Sequence, residues 1–251
     1  AKGTVPYQYF EGDLDFDKDM WIRDTEVRPG NRSVVHHIIL FLIPPGQEEV
    51  GDNDPLLNSI ATYAPGMPAE VWPDGYARFV PAGSRLVFQV HYTPNGSEQV
   101  DQSEVGIVFA NPERVHQEIK TAVAVNSKFR IPPGEANYFV SAKRTFKRDT
   151  FLHAMMPHMH YRGKSFRYTA EYSDGGQEIL LDVPRYDFNW QNLYTLAEPK
   201  LLPAGTAVVC VSHYDNSEQN LANPDPSAEV RWGDQTWEEM MLGSMVVSHP
   251  D

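Results

Sequence analysis

The stretch PAGSRLVFQVHY, residues 81–92, decides the fold because a second copy of it, PAGTAVVCVSHY, occurs at residues 203–214. In each copy a Pro-Ala-Gly turn precedes a short run rich in apolar and β-branched residues, which predicts a β-strand. The offset of 122 positions between the copies also carries His36 onto His158. The two halves of the chain therefore look like copies of one β-domain, each with a histidine pair placed before the turn.

The composition agrees with an all-β fold of two domains. The chain has 251 residues with 20 prolines and 17 glycines, and it contains almost no stretch with the 3.6-residue period of an amphipathic helix. This length suffices for two ordinary domains, each with its own core. We expect residues 1–120 and 121–251 to form β-sandwiches or barrels, with the boundary near positions 118–126.

Charge and cysteine content exclude several classes of function. The chain has 21 basic and 34 acidic residues, which disfavours nucleic acid and anionic membrane surfaces as partners. No apolar run reaches the roughly 20 residues of a membrane-spanning helix, so no membrane span is expected. Cys210 is the single cysteine, which rules out an intrachain disulfide and a cysteine-based zinc site.

Histidines in both halves have the spacing of metal ligands. His158 and His160 are two positions apart, so on a strand their rings project from the same face and can share one ion. The adjacent His36 and His37 would point to opposite faces of a regular strand, so binding one metal requires a β-bulge or a strand end. His91 is a candidate to complete that site.

The sequence also allows other roles for these residues. Each histidine taken alone is also compatible with a hydrogen-bonded core side chain. Gln89 lies two residues before His91 and is a candidate to orient it. In the second half the third ligand is either His213 or a methionine of DQTWEEMMLGSM, and a thioether would favour cuprous copper over zinc or a hard cation.

Four motifs, in order, resemble the ascorbate-dependent type II copper monooxygenases, the family of peptidylglycine α-hydroxylating monooxygenase and dopamine β-monooxygenase. VHHIILF resembles the family's first His-His motif, and FQVHY resembles the motif with the third ligand of the same copper. PHMHYRGK resembles the H-x-H motif of the second copper, and WEEMM resembles the segment that supplies its methionine. The likeness extends from about Trp21 to Met245.

The resemblance implies two copper ions per chain. The implied ligands of the first ion are His36, His37 and His91. The implied ligands of the second, catalytic ion are His158, His160 and Met240, whereas Met241 aligns one place late. The implied fold is a pair of tandem jelly-roll β-sandwiches with one copper on each, facing each other across a cleft. His213 is left as a further ligand, a group that orients a ligand, or a relic of duplication.

The implied activity is a copper-dependent monooxygenase that hydroxylates a C–H bond of a small organic substrate. In this family the all-histidine copper relays an electron, the copper with the methionine ligand binds O2, and a reductant such as ascorbate supplies electrons. Such enzymes act outside the reducing cytoplasm, so we expect a periplasmic or secreted protein, and we allow for a further domain in a longer chain.

The chain departs from the family at positions that restrict the expected substrate. Among the rival functions, one alternative to the monooxygenase remains. Met156 stands where the peptide-amidating members have an arginine, and Ser244 stands where they have a tyrosine, so a peptide ending in glycine is not expected as substrate. The single cysteine suggests a bacterial branch. A zinc hydrolase or a cupin-like enzyme would need a nearby carboxylate, and none follows His160 until Glu171. The alternative is a copper-binding or electron-transfer module without catalysis.

Overall fold

The computed structural model describes residues 5–48 and 58–250, and regular structure in these ranges is almost entirely β-strand. A 3-10 turn at Pro112–Arg114 is the one helical element of the described part. No described segment forms a helix with the length and apolar character needed to cross a bilayer. Tertiary contacts divide the chain into two compact units, one ending at Thr121 and the other spanning Ala122–Pro250.

Residues 5–48 and 58–121 of the first unit contain eight strands in two four-stranded sheets. The strands are β1 (Gln8–Glu11), β2 (Met20–Arg28), β3 (Val35–Ile43), β4 (Ser59–Tyr63), β5 (Tyr76–Val80), β6 (Arg85–Tyr92), β7 (Glu104–Phe109) and β8 (Gln117–Glu118). One sheet has the order β1-β6-β3-β4 and the other has the order β7-β2-β5-β8. All pairings are antiparallel except that of β5 with β8, which is parallel.

The second unit contains two four-stranded sheets and a short antiparallel pair of strands that lie far apart in the sequence. The strands are β9 (Lys120–Val125), β10 (Arg130–Ile131), β11 (Tyr138–Thr145), β12 (Thr150–His158), β13 (Gly163–Glu171), β14 (Gln177–Val183), β15 (Tyr194–Leu202), β16 (Ala207–Tyr214), β17 (Val230–Arg231) and β18 (Leu242–Ser248). The sheet orders are β11-β16-β13-β14 and β15-β12-β18-β9, and β10 pairs with β17. Strand β9 begins before the boundary between the units and belongs to a sheet of the second.

Each unit is a β-sandwich because both of its sheets contribute apolar side chains to one core. In the first unit Leu40 of β3 and Leu86 of β6 share a buried cluster with Ile22 of β2. In the second unit Tyr168 of β13 shares a cluster with Met245 of β18. Strands bury alternate residues in this way when two sheets pack face to face. The chain is thus all-β with sandwiches of the jelly-roll type, as the sequence predicts; their independence as folding domains stays a prediction.

The two units share one strand order. When β11 to β16 and β18 are matched to β1 to β7, the sheet β1-β6-β3-β4 becomes β11-β16-β13-β14, and β7-β2-β5 becomes β18-β12-β15. The Pro-Ala-Gly turns match as well. The N–H of Ser84 donates to the carbonyl of Pro81, and the N–H of Thr206 donates to that of Pro203. The turn glycines, Gly83 and Gly205, have φ values of 78° and 89°, the conformation that a type II turn requires.

Candidate metal centres

A β-bulge turns the adjacent histidines of β3 toward one place. In the pairing of β3 with β6, Val35 lies opposite Tyr92 and His37 lies opposite His91, so His36 is the extra residue. An extra residue breaks the strict alternation of side chains along a strand and bends it locally. The bulge that His36 and His37 need if both are to face one metal ion is therefore present.

The three histidines of the first unit form a compact cluster. One ring nitrogen from each histidine can be chosen so that the three nitrogens all lie within 4.8 Å of one another. Nδ1 of His36 and Nδ1 of His37 are 3.2 Å apart, and the His37 and His91 ring centroids are 4.9 Å apart. Two nitrogens bound to one tetrahedral metal ion at about 2.0–2.1 Å would be separated by roughly 3.3 Å. The spacing of the ring nitrogens thus fits three ligands of one metal ion.

The environment of His91 keeps its imidazole neutral. His91 is buried, and its Nδ1 atom has no hydrogen-bond partner in the described part of the chain. Burial, and secondarily the charge of His36, lowers the pKa of His91 to about 4. The Tyr7 ring packs edge-on against His37 and His91, with centroids at 5.6 and 5.1 Å. Because neutral imidazole is the form that binds metals, His91 is prepared for ligation.

Gln89 lies on the same strand but contacts a different side chain. Its Nε2 donates a 2.7 Å hydrogen bond to the hydroxyl of Tyr9, a residue of β1 that lies opposite Gln89 in the sheet. The orienting role suggested for Gln89 from its position beside His91 stays a prediction.

The second pair of histidines occupies the end of a strand and the turn that follows it. His158 is the last residue of β12, and His160 lies two positions later, with the ring centroids 5.2 Å apart. Both side chains are buried. Nδ1 of His158 lies 2.7 Å from Oε1 of Gln191, and Nδ1 of His160 lies 3.2 Å from the carbonyl oxygen of Glu238. Since these oxygens only accept, each Nδ1 carries the proton and each Nε2 keeps its lone pair.

Met240 lies next to a residue that contacts this pair. His158 of β12 pairs with Leu242 of β18, two positions after Met240, and the preceding residue Glu239 accepts a hydrogen bond from the backbone of His160. Met240 is buried but does not belong to the hydrophobic core cluster, whereas Met241 does. The two methionines therefore differ in the way the motif alignment suggests, with Met241 serving the core.

A buried carboxyl group holds the two segments of this site together. The Oε2 and Oε1 atoms of Glu239 accept hydrogen bonds from the backbone N–H groups of His160 and Arg162, at 2.8 and 2.6 Å. The buried Arg162 in turn donates to the side chain of Asn216 and to the carbonyl of Trp237, both at 2.7 Å. Burial raises the pKa of Glu239 to about 8. The sequence analysis missed Glu239 and Arg162, although both stand inside motifs that it singled out.

The repeat does not make the two histidine pairs equivalent in space. His91 of β6 pairs with His37, and its counterpart His213 of β16 pairs with Ser165 of β13. The structural counterpart of His37 is therefore Ser165, not a histidine of the H-x-H motif. His158 instead ends β12, the counterpart of β2. The constant sequence offset from His36 to His158 is thus not a structural equivalence, because the segment between matched strands differs in length in the two units.

The remaining histidines have local partners. Nδ1 of His213 lies 3.1 Å from the Ser165 hydroxyl, and its ring packs against Phe139. Nε2 of His153 lies 2.8 Å from the hydroxyl of Ser248. His116 and His249 contact the backbone carbonyls of Arg114 and Asp149, respectively. These contacts agree with a structural role for His116, His153 and His249, and no described contact joins His213 to His158 or His160.

Comparisons with known proteins return no family for this chain. No family model and no curated protein matches it. Among solved structures, the VP2 subviral particle of infectious bursal disease virus gives a TM-score of 0.29 and 11% identity over 95% of this chain and 60% of that one. T=1 particles derived from the same virus give a TM-score of 0.28 and 10% identity over 95% and 57%. The chain thus spans less than two thirds of the length of these viral proteins.

Proposed function

We propose that this protein is a copper-dependent monooxygenase that hydroxylates a C–H bond of a small organic substrate, using O2 and an external reductant such as ascorbate. The observation that carries the proposal is the cluster of His36, His37 and His91, which the bulge at His36 brings together. The second histidine pair and Met240 extend the argument. The four motifs resemble those of the copper monooxygenases in the same order, which links all of these residues to copper-dependent hydroxylation.

The donors of the first unit fit copper. The cluster contains three imidazoles and no carboxylate, and imidazole suits copper or zinc rather than a hard cation. The buried Nδ1 of His91, which lacks a hydrogen-bond partner among the described residues, is a polar atom that a metal ion would satisfy. The fit therefore rests on this chain's own residues as well as on the motif.

The donors of the second unit favour copper more strongly than zinc. His158 and His160 would bind through Nε2, because hydrogen bonds to Gln191 and Glu238 hold the proton on Nδ1. Met240 would add a thioether, and thioethers select cuprous copper. All three side chains are less than 10% exposed, so bulk water is largely kept from them.

Copper bound at these sites would supply the one-electron chemistry needed to insert an oxygen atom from O2 into a C–H bond. The residues of the chain then have separate tasks. His36, His37 and His91 would hold the ion that stores an electron, and His158, His160 and Met240 would hold the ion at which the substrate reacts. Glu239 fixes the backbone of His160 and so maintains the geometry of the second set.

The surroundings of His158 favour a neutral substrate. Met156 and Ser244, the two residues that depart from the peptide-amidating members, are cross-strand partners on β12 and β18. Met156 lies two positions before His158, on the same side of the strand. Both residues are buried and uncharged, so neither offers a cation to a substrate carboxylate. We therefore propose a small apolar or weakly polar substrate.

X-ray absorption of the copper-loaded, ascorbate-reduced protein tests the proposal. We expect about two copper ions per chain and a sulfur scatterer that disappears in Met240→Leu, which removes the sulfur at similar volume. Met67→Leu, a methionine in a loop of the first unit, is the matched control and should retain the signal. One copper ion or none, with only nitrogen and oxygen neighbours, would defeat the two-site proposal.

Turnover separates an enzyme from a copper carrier. The copper-loaded protein should consume O2 in an ascorbate-dependent reaction when an apolar substrate is oxidised, and His158→Ala should abolish the product. Stoichiometric binding of two coppers without any hydroxylated product across a substrate panel would instead favour the electron-transfer alternative.

A further inference from the structure

In the part of the chain that the structure describes, the sandwich of the first unit is open along one side that is closed in the second. Strand β18 pairs with β12 on one edge and with β9 on the other. Its counterpart β7 pairs with β2, and no strand of the described part pairs with its outer edge. The second unit thus has a strand in a position that, among the described residues of the first unit, has none.

The inner face of β1 is partly exposed to solvent as a result. Phe10 pairs with Phe88, which packs against the core of the first unit, so Phe10 also faces inward. It is nevertheless 48% exposed. In the second unit the inward residues of the counterpart strand β11, Val140 and Ala142, are buried in the same cluster as Ala122 and Ala124 of β9. An inward phenylalanine is therefore exposed where the second unit places a covering strand.

A cavity of about 680 Å³ occupies this open side. Its walls are apolar side chains of β6 and β7 that also belong to or pack against the core. These wall residues are Leu86, Phe88, Val90, Val105 and Ile107. Three large apolar side chains, Phe10, Leu14 and Phe109, surround the opening and are 37–48% exposed. Contiguous apolar exposure of this kind marks a binding surface more often than a free one.

The rim of the cavity is acidic. Glu11, Asp13, Asp101 and Glu104 line it, and the residues of the lining include no lysine or arginine. Arg85 forms an ion pair with Glu11 just outside the lining. Arg28, the cross-strand partner of Glu104, also lies outside the lining. The four carboxylates therefore meet no cation within the lining, and a positively charged ligand would be attracted to the opening.

The β7 edge lacks the usual protection against strand pairing. Its sequence EVGIVF contains no proline and no lysine, and Val108 is 45% exposed. Exposed edges are normally shielded by such residues, because their backbone N–H and C=O groups otherwise pair with another strand. The backbone groups of this edge can therefore form hydrogen bonds to an added strand that also contacts the apolar cavity.

We propose that the first unit binds an extended peptide segment of a partner protein, which adds as a strand to the outer edge of β7. Alternate apolar side chains of the segment would fill the cavity, as Ala122 and Ala124 of β9 do in the second unit, and its lysines or arginines would meet the acidic rim. A second copy of this chain is disfavoured as the occupant, because the net charge of −13 makes like copies repel. A small amphiphile would fill the cavity but leave the β7 backbone groups unpaired.

Fluorescence anisotropy with a labelled synthetic peptide of about eight residues, alternating lysine and valine, tests this strand addition. We expect saturable binding that slows hydrogen exchange of the β7 amides. Replacing the peptide's lysines by glutamates should weaken binding at least about tenfold. Replacing a central valine by proline should do the same, because proline cannot donate to the ladder.

Charge reversal on the protein locates the site. Glu104→Lys should weaken binding at least about tenfold, whereas Glu113→Lys, an exposed glutamate of the same unit outside the cavity, should leave it nearly unchanged. Equal effects of the two variants would show general charge attraction and overturn the proposal. So would protection of β7 by self-association without peptide, or saturable binding of dodecyltrimethylammonium in the cavity with no peptide binding. The copper experiments do not depend on either result.

Discussion

Nδ1 of His158 lies 2.7 Å from Oε1 of Gln191, and Nε2 of the same glutamine donates to the carbonyl of Phe188 at 2.9 Å. The second bond fixes the orientation of the amide, so that an oxygen rather than an NH2 group faces the histidine. The amide therefore sets the tautomer of His158 and leaves Nε2 unprotonated. A residue 33 positions away in the chain thus sets the protonation state of a candidate metal ligand.

Gln191→Ala should weaken copper binding at the second site by about 10–100-fold, because groups that orient a ligand typically contribute this much. The first site should be unaffected. The measurement is competition for cuprous copper with a chromophoric chelator. Gln177→Ala, an exposed glutamine at the start of β14, is the control and should leave both affinities unchanged. A variant at Gln191 with wild-type affinity would show that the hydrogen bond has no role in ligation.

His91→Phe should separate stability from metal binding in the first unit. The variant removes a buried Nδ1 atom that has no described hydrogen-bond partner, so the free energy of unfolding of the metal-free protein should change by less than about 1 kcal/mol or increase. It should also remove that site's share of the increase in Tm on adding copper. Thermal denaturation with and without copper provides both values.

The control for that experiment is His116→Phe, since His116 is exposed and lies outside the cluster. Its copper response should equal that of the wild type. If His91→Phe strongly destabilises the metal-free protein and retains the full copper response, His91 is a structural core residue and the cluster is not a copper site.

The sequence predicts the strands and the pairing of His36 with His37 from local pattern, whereas His91 is a candidate that the motif resemblance adds to them. Alternation of apolar residues identifies β6 and β16, and two adjacent histidines in an apolar strand require a bulge before they can meet. The structure places that bulge at His36. The equivalence of His36 with His158 was wrong because a constant offset in sequence does not require matching strands: Ser165, not a histidine, occupies the position opposite His213.

The supporting residues of the second site could not be predicted in the same way. Glu239 contacts the backbone of His160 across 79 positions, and Gln191 lies in a loop with no motif. Contacts at such separations follow from which strands pair and how the loops after them fold, which neither periodicity nor spacing encodes. A weak signal existed for Glu239, since a glutamate next to a candidate ligand in an apolar segment must find partners when it is buried.

His153 should make the stability of the protein depend on pH between about 6.5 and 4. Burial lowers the pKa of His153 to about 4 in the folded protein, while the unfolded chain titrates near 6.5. Its contribution is therefore complete above about pH 6.5 and is lost as the pH falls toward 4, because the unfolded state then binds the extra proton. The loss should be on the order of 2–3 kcal/mol.

The variant His153→Gln keeps a polar partner for the hydroxyl of Ser248 but does not titrate. Urea denaturation of the metal-free protein from pH 7 to pH 4 should show a smaller decline in the free energy of unfolding for this variant than for the wild type. Parallel declines for the two proteins would mean that His153 does not retain its depressed pKa in solution.

Gly243→Ala should destabilise the second unit through one specific overlap. A Cβ atom at Gly243, on β18, would overlap Sγ of the buried Cys210 and lie 3.3 Å from Cε1 of Tyr168. We expect a loss of about 1–3 kcal/mol. Cys210→Ala removes the sulfur, so the double variant should be more stable than the sum of the single effects predicts, with a coupling of about 1 kcal/mol or more. Gly106→Ala is the matched control, because a Cβ there meets nothing closer than 3.9 Å. Additive effects in urea denaturation would place the strain of Gly243→Ala in the backbone instead.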